Sequence, residues 1–462
     1  MKEKENQVLR GNKMGTMPVG RLLVNMAMPM IISMLVQALY NIVDSVYVSR
    51  ISESAVTAMG LAFPVQNIQI GFATGIGAGV NSLLSKSLGE GNQQRANRTA
   101  ANGIFLALVA TGIFVLFGIF GVRPFYSIQS EVPETVENCV VYSSICCIGT
   151  LGVMMGILFE RLLQATGRTV HTMVTQGTGA ILNILLDPIL IFGVPALGIP
   201  AMGIAGAALA TVIGQWIAAA LALIFNLKFN HDIRLRLGNI RPRGEILKPV
   251  LGVGIPSVIM VGIGSIMTFT MNQILLGFEG VGETAAGVFG IYFKLQSFFF
   301  MPLFGLNNAT ISIVAYNYGA RSPERMTKTL KIACMSAMSV MILGVLAFEL
   351  VPNVLLGLFN PSDVFLEMGC NALRIIGIHL PLAAISIVLG ASFQAMGNGI
   401  YSTITSTCRQ LVVLLPAAYL LSLSGNIHIV WWAFPVAEVM SLMVTLFFYN
   451  RIYRQKIKPL YE

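Results

Sequence analysis

Charge is what this chain has least of. Only 11% of its 462 residues are charged and 55% are hydrophobic, whereas an average soluble domain carries about one-quarter charged residues. That scarcity excludes a soluble globular protein and leaves a polytopic membrane protein. Cysteine is sparse as well. Cys139, Cys146, Cys147, Cys334, Cys370 and Cys408 lie mostly inside apolar runs and lack CxxC spacing, so neither a disulfide framework nor a metal cluster is expected, and they read as small buried hydrophobes. The four histidines, His171, His231, His379 and His428, are scattered, and HExxH, GxSxG and the Walker loop are missing. These absences remove the usual constellations of a membrane-embedded enzyme and any ATPase module, so energy for uphill work has to come from a gradient. No basic run is interleaved with base-stacking aromatics, and no nucleic-acid partner is expected. The polar opening "MKEKENQVLRGNKMGT" leads into a full-length span rather than a short h-region, so no cleavable signal is expected.

What the sequence does hold is long apolar runs of about 20 residues bounded by charges or turn residues. Twelve are expected, near 22–48, 57–84, 98–122, 138–160, 169–192, 203–226, 249–277, 285–314, 327–350, 365–393, 400–422 and 427–450. They are expected to be helices, because backbone in a bilayer must satisfy its hydrogen bonds within the segment and no porin-like alternation is present. One set of loops and both tails hold Lys2, Lys4, Arg10, Lys13, Arg21, Lys86, Arg95, Arg98, Arg161, Arg168, Lys228, Arg234, Arg236, Arg241, Arg243, Lys248, Arg321, Arg325, Lys328, Lys331, Arg451, Arg454, Lys456 and Lys458. The opposite loops hold Arg50 and Arg123. The positive-inside bias places both termini in the cytoplasm and accounts for the formal net charge of +9.

The chain repeats itself at a shift of 230 residues. "GIGAGVNSLLSKSLGEGNQQRANRT" (75–99) aligns with "GLNNATISIVAYNYGARSPERMTKT" (305–329), and "LLQATGRTVHTMVT" (162–175) with "SFQAMGNGIYSTIT" (392–405). Each repeat holds an even number of spans, six, so the halves are related by an axis along the membrane normal rather than inverted. The expected domains are an N-lobe over 1–227, a basic Pro-containing cytoplasmic linker over 228–248 that lets the bundles move, and a C-lobe over 249–462.

Gln37, Tyr40, Asn41 and Asp44 fall at i, i+3, i+4 and i+7 of the first span and so share one helix face. In the fifth span Asn183 and Asp187 stack four apart, and Pro188 removes the amide that would have bonded the carbonyl of Ile184, so a bend is expected there. A carboxylate inside a bilayer costs about 2.5–3.5 kcal/mol and survives by pairing, by lining a wet cavity or by binding a proton or ion. Both acids fall in the exofacial part of their spans and can approach each other. Such a pair can load H⁺ or, with amide, hydroxyl and carbonyl oxygens added, a hard cation such as Na⁺. The plainer alternative makes Asp44 a hydrogen-bonded packing residue and Asp187 the cap of a bend.

The chain resembles the MATE transporters, most closely their MepA-like branch, through "YNIVDSVYVSR" (40–50), "LLQATGRT" (162–169), "LNILLDPILIF" (182–192), "GIAGAALAT" (203–211), "FKLQSFFFMPLFGLNNA" (293–309) and "YNYGAR" (316–321). The resemblance implies twelve helices in two V-shaped six-helix lobes and an alternating-access antiporter. It would export organic cations and amphiphilic drugs through the cell membrane against inward H⁺ or Na⁺, with no other cofactor, and a monomer is expected. It further implies a coupling site of Asp44, Asn183, Asp187 and Thr211, the same four holding Na⁺ if coupling is to Na⁺. Gln37, Tyr40, Asn41 and Glu160 stand as cargo-side residues. Thr211 among small residues also reads as helix packing. Glu160 beside Arg161 also reads as interfacial, near the cytoplasmic end of its span.

The repeat takes Asp44 to Ile274, Asn183 to Val413 and Asp187 to Ala417, so the C-lobe lacks the carboxylate site of NorM-like relatives and coupling is expected to rest on the N-lobe. The C-lobe's own charges, Lys294, Arg374, Arg409 and Glu438, read as buried, with Glu438 neutralising one cation in a structural pair, or else as cargo contacts. Met26, Met28, Met30, Met34, Met154, Met155, Phe298, Phe299 and Phe300 read as packing or lipid-facing residues, or as the wall of a promiscuous site. Gly75, Gly77 and Gly79 read as close helix packing before hinges. Two rivals remain. A lipid-linked oligosaccharide flippase of the same superfamily would use the C-lobe cations for an anionic cargo, and a channel fits composition but has no need of twin bundles.

Overall fold

The computed structural model describes residues 12–462 apart from 130, 131, 196, 197, 237, 239, 360 and 361, and apart from the side chains of residues 41, 42, 45, 46, 49, 53 and 56. Lys2, Lys4 and Arg10, and the side chain of Asn41, therefore lie outside the described residues. Twelve long helical segments follow one another, preceded by a short helical turn at Lys13–Thr16. In the N-lobe they are α1 (Val19–Ser49), α2 (Glu53–Gly89), α3 (Gln93–Leu116, continued by a π-helical turn and a further helix to Gln129), α4 (Pro133–Ile148 and Leu151–Ala165), α5 (Thr169–Phe192) and α6 (Ile204–Lys228). The C-lobe repeats the order as α7 (Gly244–Leu276), α8 (Gly282–Gly319), α9 (Pro323–Leu350), α10 (Asp363–Gly377 and Leu380–Ala395), α11 (Gly399–Ser422, with a π-helical stretch Cys408–Leu414) and α12 (Ala433–Ile452, entered through Ile427–Val430).

Nine of these are long and apolar enough to cross a membrane singly, and α4 and α10 qualify as bent pairs, each bent by 46°. The remaining one, α2, carries Gln66, Asn67 and Gln69 at mid-length, which lowers its hydropathy, but its 37 residues span about 55 Å at 1.5 Å per residue. The expected count of twelve spans therefore stands, with two of them broken near mid-length.

The repeat is visible in the helix ends themselves. α2 and α8 stop at Gly89 and Gly319, α3 and α9 start at Gln93 and Pro323, and α5 and α11 coincide at both ends under the shift of 230 residues. The turn into α5 is closed by Gly167 at φ +80° and the turn into α11 by Gly397 at φ +78°, a left-handed conformation that costs an L residue roughly 1–2 kcal/mol. Helix starts are fixed by short polar side chains, Ser52 accepting from Ala55 N at 3.1 Å and Asn92 from Arg95 N at 2.9 Å.

The lobes meet at the end that carries the basic loops. A Cβ on Gly89 would run into the carbonyl oxygen of Tyr316, and one on Gly319 into that of Lys86, a two-fold related pair of backbone contacts that only glycine permits. Around them Ser82 Oγ donates to the carbonyl of Gln394 at 2.7 Å and Ser312 Oγ to Asn81 Oδ1 at 3.0 Å. The N-terminal turn adds a strap across the same end. Its Met14 carbonyl accepts from Asn317 at 3.2 Å and from Arg325 at 2.9 Å, while Asn12 donates to Asp232 at 3.3 Å. The linker is anchored rather than loose, since Arg168 bonds Asp232 at 3.0 Å and the amides of Arg234 and Arg243 donate to Asn97 at 2.7 Å and Asn102 at 3.0 Å. Gly75 and Gly79 pack against α7 and Gly77 against Arg161, so these three serve close approach.

Candidate functional site

Three helices of the N-lobe converge on one buried polar chain. α1 contributes Asp44, α5 contributes Asn183 and Asp187, and α6 contributes Thr211. Asp187 has 0% and Asp44 5% of its surface exposed, and Asn183 and Thr211 are likewise buried. With its amide oxygen facing α6, Asn183 accepts from Thr211 Oγ1 and from Thr211 N, both at 3.2 Å, and its NH₂ donates to Asp187 Oδ2 at 3.1 Å. The reverse orientation would set acceptor against acceptor at Asp187. Asp187 in turn lies within side-chain hydrogen-bonding reach of Asp44. Two carboxyl groups make that contact only through a proton, because a carboxylate has acceptors and no donor. One oxygen of each acid, Asp44 Oδ1 and Asp187 Oδ1, has no partner among the described residues. α5 continues through Pro188 to Phe192 as one helix, and the missing amide of Pro188 leaves the Ile184 carbonyl without its i+4 donor, next to Asn183 and about one turn from Asp187. The acceptor atoms of the site, the oxygens of Asp44, Asp187, Asn183 and Thr211, are all hard, which suits a proton or a small hard cation.

A cavity of about 140 Å³ opens from this chain into the lobe and is lined by Gln37, Tyr40, Glu160, Gln176, Asn183 and Thr211, among others. The polar stripe of α1 is therefore on the lobe interior at Tyr40 and Asp44, and Gln37 is on the cavity wall. Glu160 corrects the interfacial reading: it is buried, accepting from Thr175 Oγ1 at 3.2 Å and from Gln176 Nε2 at 2.7 Å. It lies on the face of the second arm of α4 that packs against α5. Sequence reading missed Thr175 and Gln176, whose link to Glu160 is a contact between helices. It also missed Tyr142, fully buried within electrostatic reach of Asp44 and accepting from Gln66 Nε2 at 3.0 Å.

The C-lobe differs at every equivalent place. Ile274, Val413 and Ala417 replace the two acids and the amide, and Ser441 stands at the position of Thr211 with an Oγ that has no partner among the described residues. Of the four C-lobe charges read as buried, Lys294 and Arg374 are exposed, because their helices turn those faces out of the bundle. The interior pair is Arg409 with Glu438, at 3.5 Å. Between the lobes lies a larger cleft of about 460 Å³, with Arg161, Arg409, Asn307, Asn308 and Gln394 in its wall and no acid among its described lining residues. Arg161, expected among the basic loops, instead sits inside the second arm of α4 and faces this cleft. Met26, Met30 and Met154 are packed in the core, Met28 and Phe298 are exposed, and Phe300 lines the cleft. Cys139, Cys146 and Cys147 are buried as expected, whereas Cys334, Cys370 and Cys408 are only partly so.

The MatE family model matches residues 29–189 and 256–420, once in each lobe. Multidrug export protein MepA of Staphylococcus saprophyticus is 24% identical over 429 residues, covering 92% of this chain and 93% of that protein. Among solved structures, the outward-facing conformation of a multidrug resistance MATE family transporter of the MOP superfamily superposes with a TM-score of 0.88 at 26% identity over 98% of both chains. A MOP superfamily transporter from Pyrococcus furiosus, described as having a binding pocket of reverse polarity that suggests a different function, also superposes at 0.88, with 26% identity over 99% of both chains.

Proposed function

The chain belongs to the MatE family of membrane transporters, and from that premise we propose that it is an antiporter, not an enzyme, exporting organic cations and amphiphilic drugs in exchange for inward H⁺ or Na⁺. The reading that supports this best is the chain of four residues Asp44, Asp187, Asn183 and Thr211, because the other lobe does without it at the same fold positions. Asp44 and Asp187 hold the proton between them. Na⁺ would take the proton's place among the oxygens of Asp44, Asp187, Asn183 and Thr211, which include the two unpartnered carboxylate oxygens. Cargo-bound and cation-bound forms then favour different lobe arrangements, and the basic end, on this reading cytoplasmic and carrying both termini, closes when the lobes meet at Gly89 and Gly319.

Moving such an equilibrium from 1:99 to 99:1 takes about 5.5 kcal/mol of differential binding, and one inward charge gains about 2.3 kcal/mol per 100 mV. One cation drawing on both voltage and concentration is sufficient in order of magnitude. Cells of the plasma-membrane-expressed protein loaded with a fluorescent cation provide the test: Asp44→Asn is expected to stop gradient-dependent efflux, and unchanged efflux would sink the proposal.

A second reading is favoured by one observation, the cleft between the lobes with its two arginines and no acid among its described lining residues. A flippase for a lipid-linked oligosaccharide would place an anionic pyrophosphate there. Rescue of a cell-wall precursor defect by the chain, without drug efflux, would reverse the order of the two readings.

A further inference from the structure

The C-lobe has a pocket of its own, between α7, α8, α10, α11 and α12, and its wall is richer in aromatic rings than that of the N-lobe cavity. It measures about 140 Å³, and its wall includes Tyr292, Phe293, Phe300, Phe434 and the imidazole of His379, with one carboxylate among the described lining residues, Glu438. Glu438 has 3% of its side chain exposed, and its Oε1 has no partner among the described residues. Its other oxygen meets Arg409 Nη1 at 3.5 Å, a single long contact rather than the paired 2.7–2.9 Å bonds of a strong Arg–carboxylate fork. Tyr292 meets Phe293 and Phe434 at centroid distances of 5.6 and 5.8 Å and steep angles of 64° and 65°, so the rings wall the pocket rather than stack across it. A buried carboxylate surrounded by aromatic rings is the arrangement that holds ammonium groups, each ring adding about 0.5–2 kcal/mol.

Arg409 and Phe300 line both this pocket and the larger cleft between the lobes. Arg409 is the more exposed partner of the pair, at 25% against 3%. The guanidinium therefore has a wet space to turn into when it leaves Glu438. We infer that the pocket receives the ammonium head of an organic cation, which takes the place of Arg409 on Glu438 while the body of the cargo stays in the central cleft. The sizes agree: a 140 Å³ pocket admits a trimethylammonium-sized group, and the 460 Å³ cleft falls in the range of about 300–1,000 Å³ used by drug-sized molecules. Arg409 is then a tethered competitor that neutralises Glu438 in the absence of cargo and so removes the cost of an unpaired buried charge. The inference rests on the reading that the cargo is an organic cation, but its site is separate from the N-lobe coupling residues.

The test is equilibrium dialysis of tritiated benzyltrimethylammonium against the purified full chain in detergent, at one pH and without any gradient, so the result does not depend on coupling at Asp44 and Asp187. Glu438→Gln is expected to weaken binding about tenfold or more, as loss of a charge-assisted contact does, and Arg409→Gln to strengthen it by removing the competitor. Opposite signs for the two variants are specific to a cation site. A purely structural ion pair predicts that both substitutions act in the same direction or leave binding unchanged, and either result overturns the inference. Should Glu438→Gln fail to give a monodisperse protein, Phe434→Leu keeps the pocket apolar and removes one ring. It is expected to weaken binding about two- to thirtyfold, and wild-type affinity in that variant would also overturn the inference.

Discussion

Asp187 on α5 and Ala417 on α11 hold equivalent places in two helices that begin and end at equivalent residues. One is an acid fully withdrawn from solvent and linked through Asn183 to Thr211; the other is an apolar residue with Val413 and Ile274 in place of its neighbours. The backbone plan therefore tolerates hydrocarbon at these positions, and the N-lobe acids are not demanded by packing. Their insertion cost of about 2.5–3.5 kcal/mol each is carried for some other reason, and cation coupling supplies one. The C-lobe has its interior charge elsewhere, on α11 and α12, and there it is a neutral pair.

The most severe break in this contrast is Asp187→Asn, which keeps the shape of the side chain but no longer provides the second carboxyl. Gradient-driven export measured with a labelled cation is expected to fall to the background of cells without the protein, with the chain still inserted in the membrane. Next in size is an attempt to move the site: Ile274→Asp in an Asp44→Asn background is expected to restore no export. It should lower stability in detergent by about 2.5–3.5 kcal/mol, since Val413 and Ala417 offer the new acid no partner. Restored export would show that the lobes are interchangeable after all.

The shared backbone plan can be broken separately. Gly89→Ala and Gly319→Ala each push a methyl group into a facing carbonyl. Each is expected to loosen the closed basic end by about 1–3 kcal/mol, equally for the two because the contacts are two-fold related. Accessibility of a reporter cysteine between Ser82 and Gln394 reads the opening, and a large effect from one glycine alone would contradict the symmetry. The smallest contrast is between Thr211→Ala and Ser441→Ala. Thr211 loses a hydrogen bond to Asn183, about 1 kcal/mol or roughly a fivefold weaker coupling cation, whereas Ser441 Oγ has no partner among the described residues and its loss is expected to leave the affinity for the coupling cation unchanged.

Much of this was legible in the sequence, for reasons that are local. Helix ends repeat under one shift because turn glycines repeat, as at Gly167 and Gly397. Asp44 and the stacked Asn183 and Asp187 stood out because an acid in an apolar run is costly and because spacings of four put side chains on one face. Thr211 was reached only through family resemblance, and its bond to Asn183 is a contact between helices. Glu160 was read as interfacial because nothing in its own segment reveals that its face of α4 packs against Thr175 and Gln176. Lys294 and Arg374 were read as buried because a charge inside an apolar run does not disclose which way its face is rotated. Arg161, counted among the loop cations, sits one residue from Glu160 and faces the opposite space, the cleft between the lobes.

The central claim, that the N-lobe acids carry the driving cation, is tested most directly in proteoliposomes with H⁺ and Na⁺ gradients imposed separately. Uptake of a labelled organic cation should follow one of the two gradients with the unsubstituted chain and neither gradient with Asp44→Asn. Gradient-driven uptake of the same size in both proteins would contradict the account.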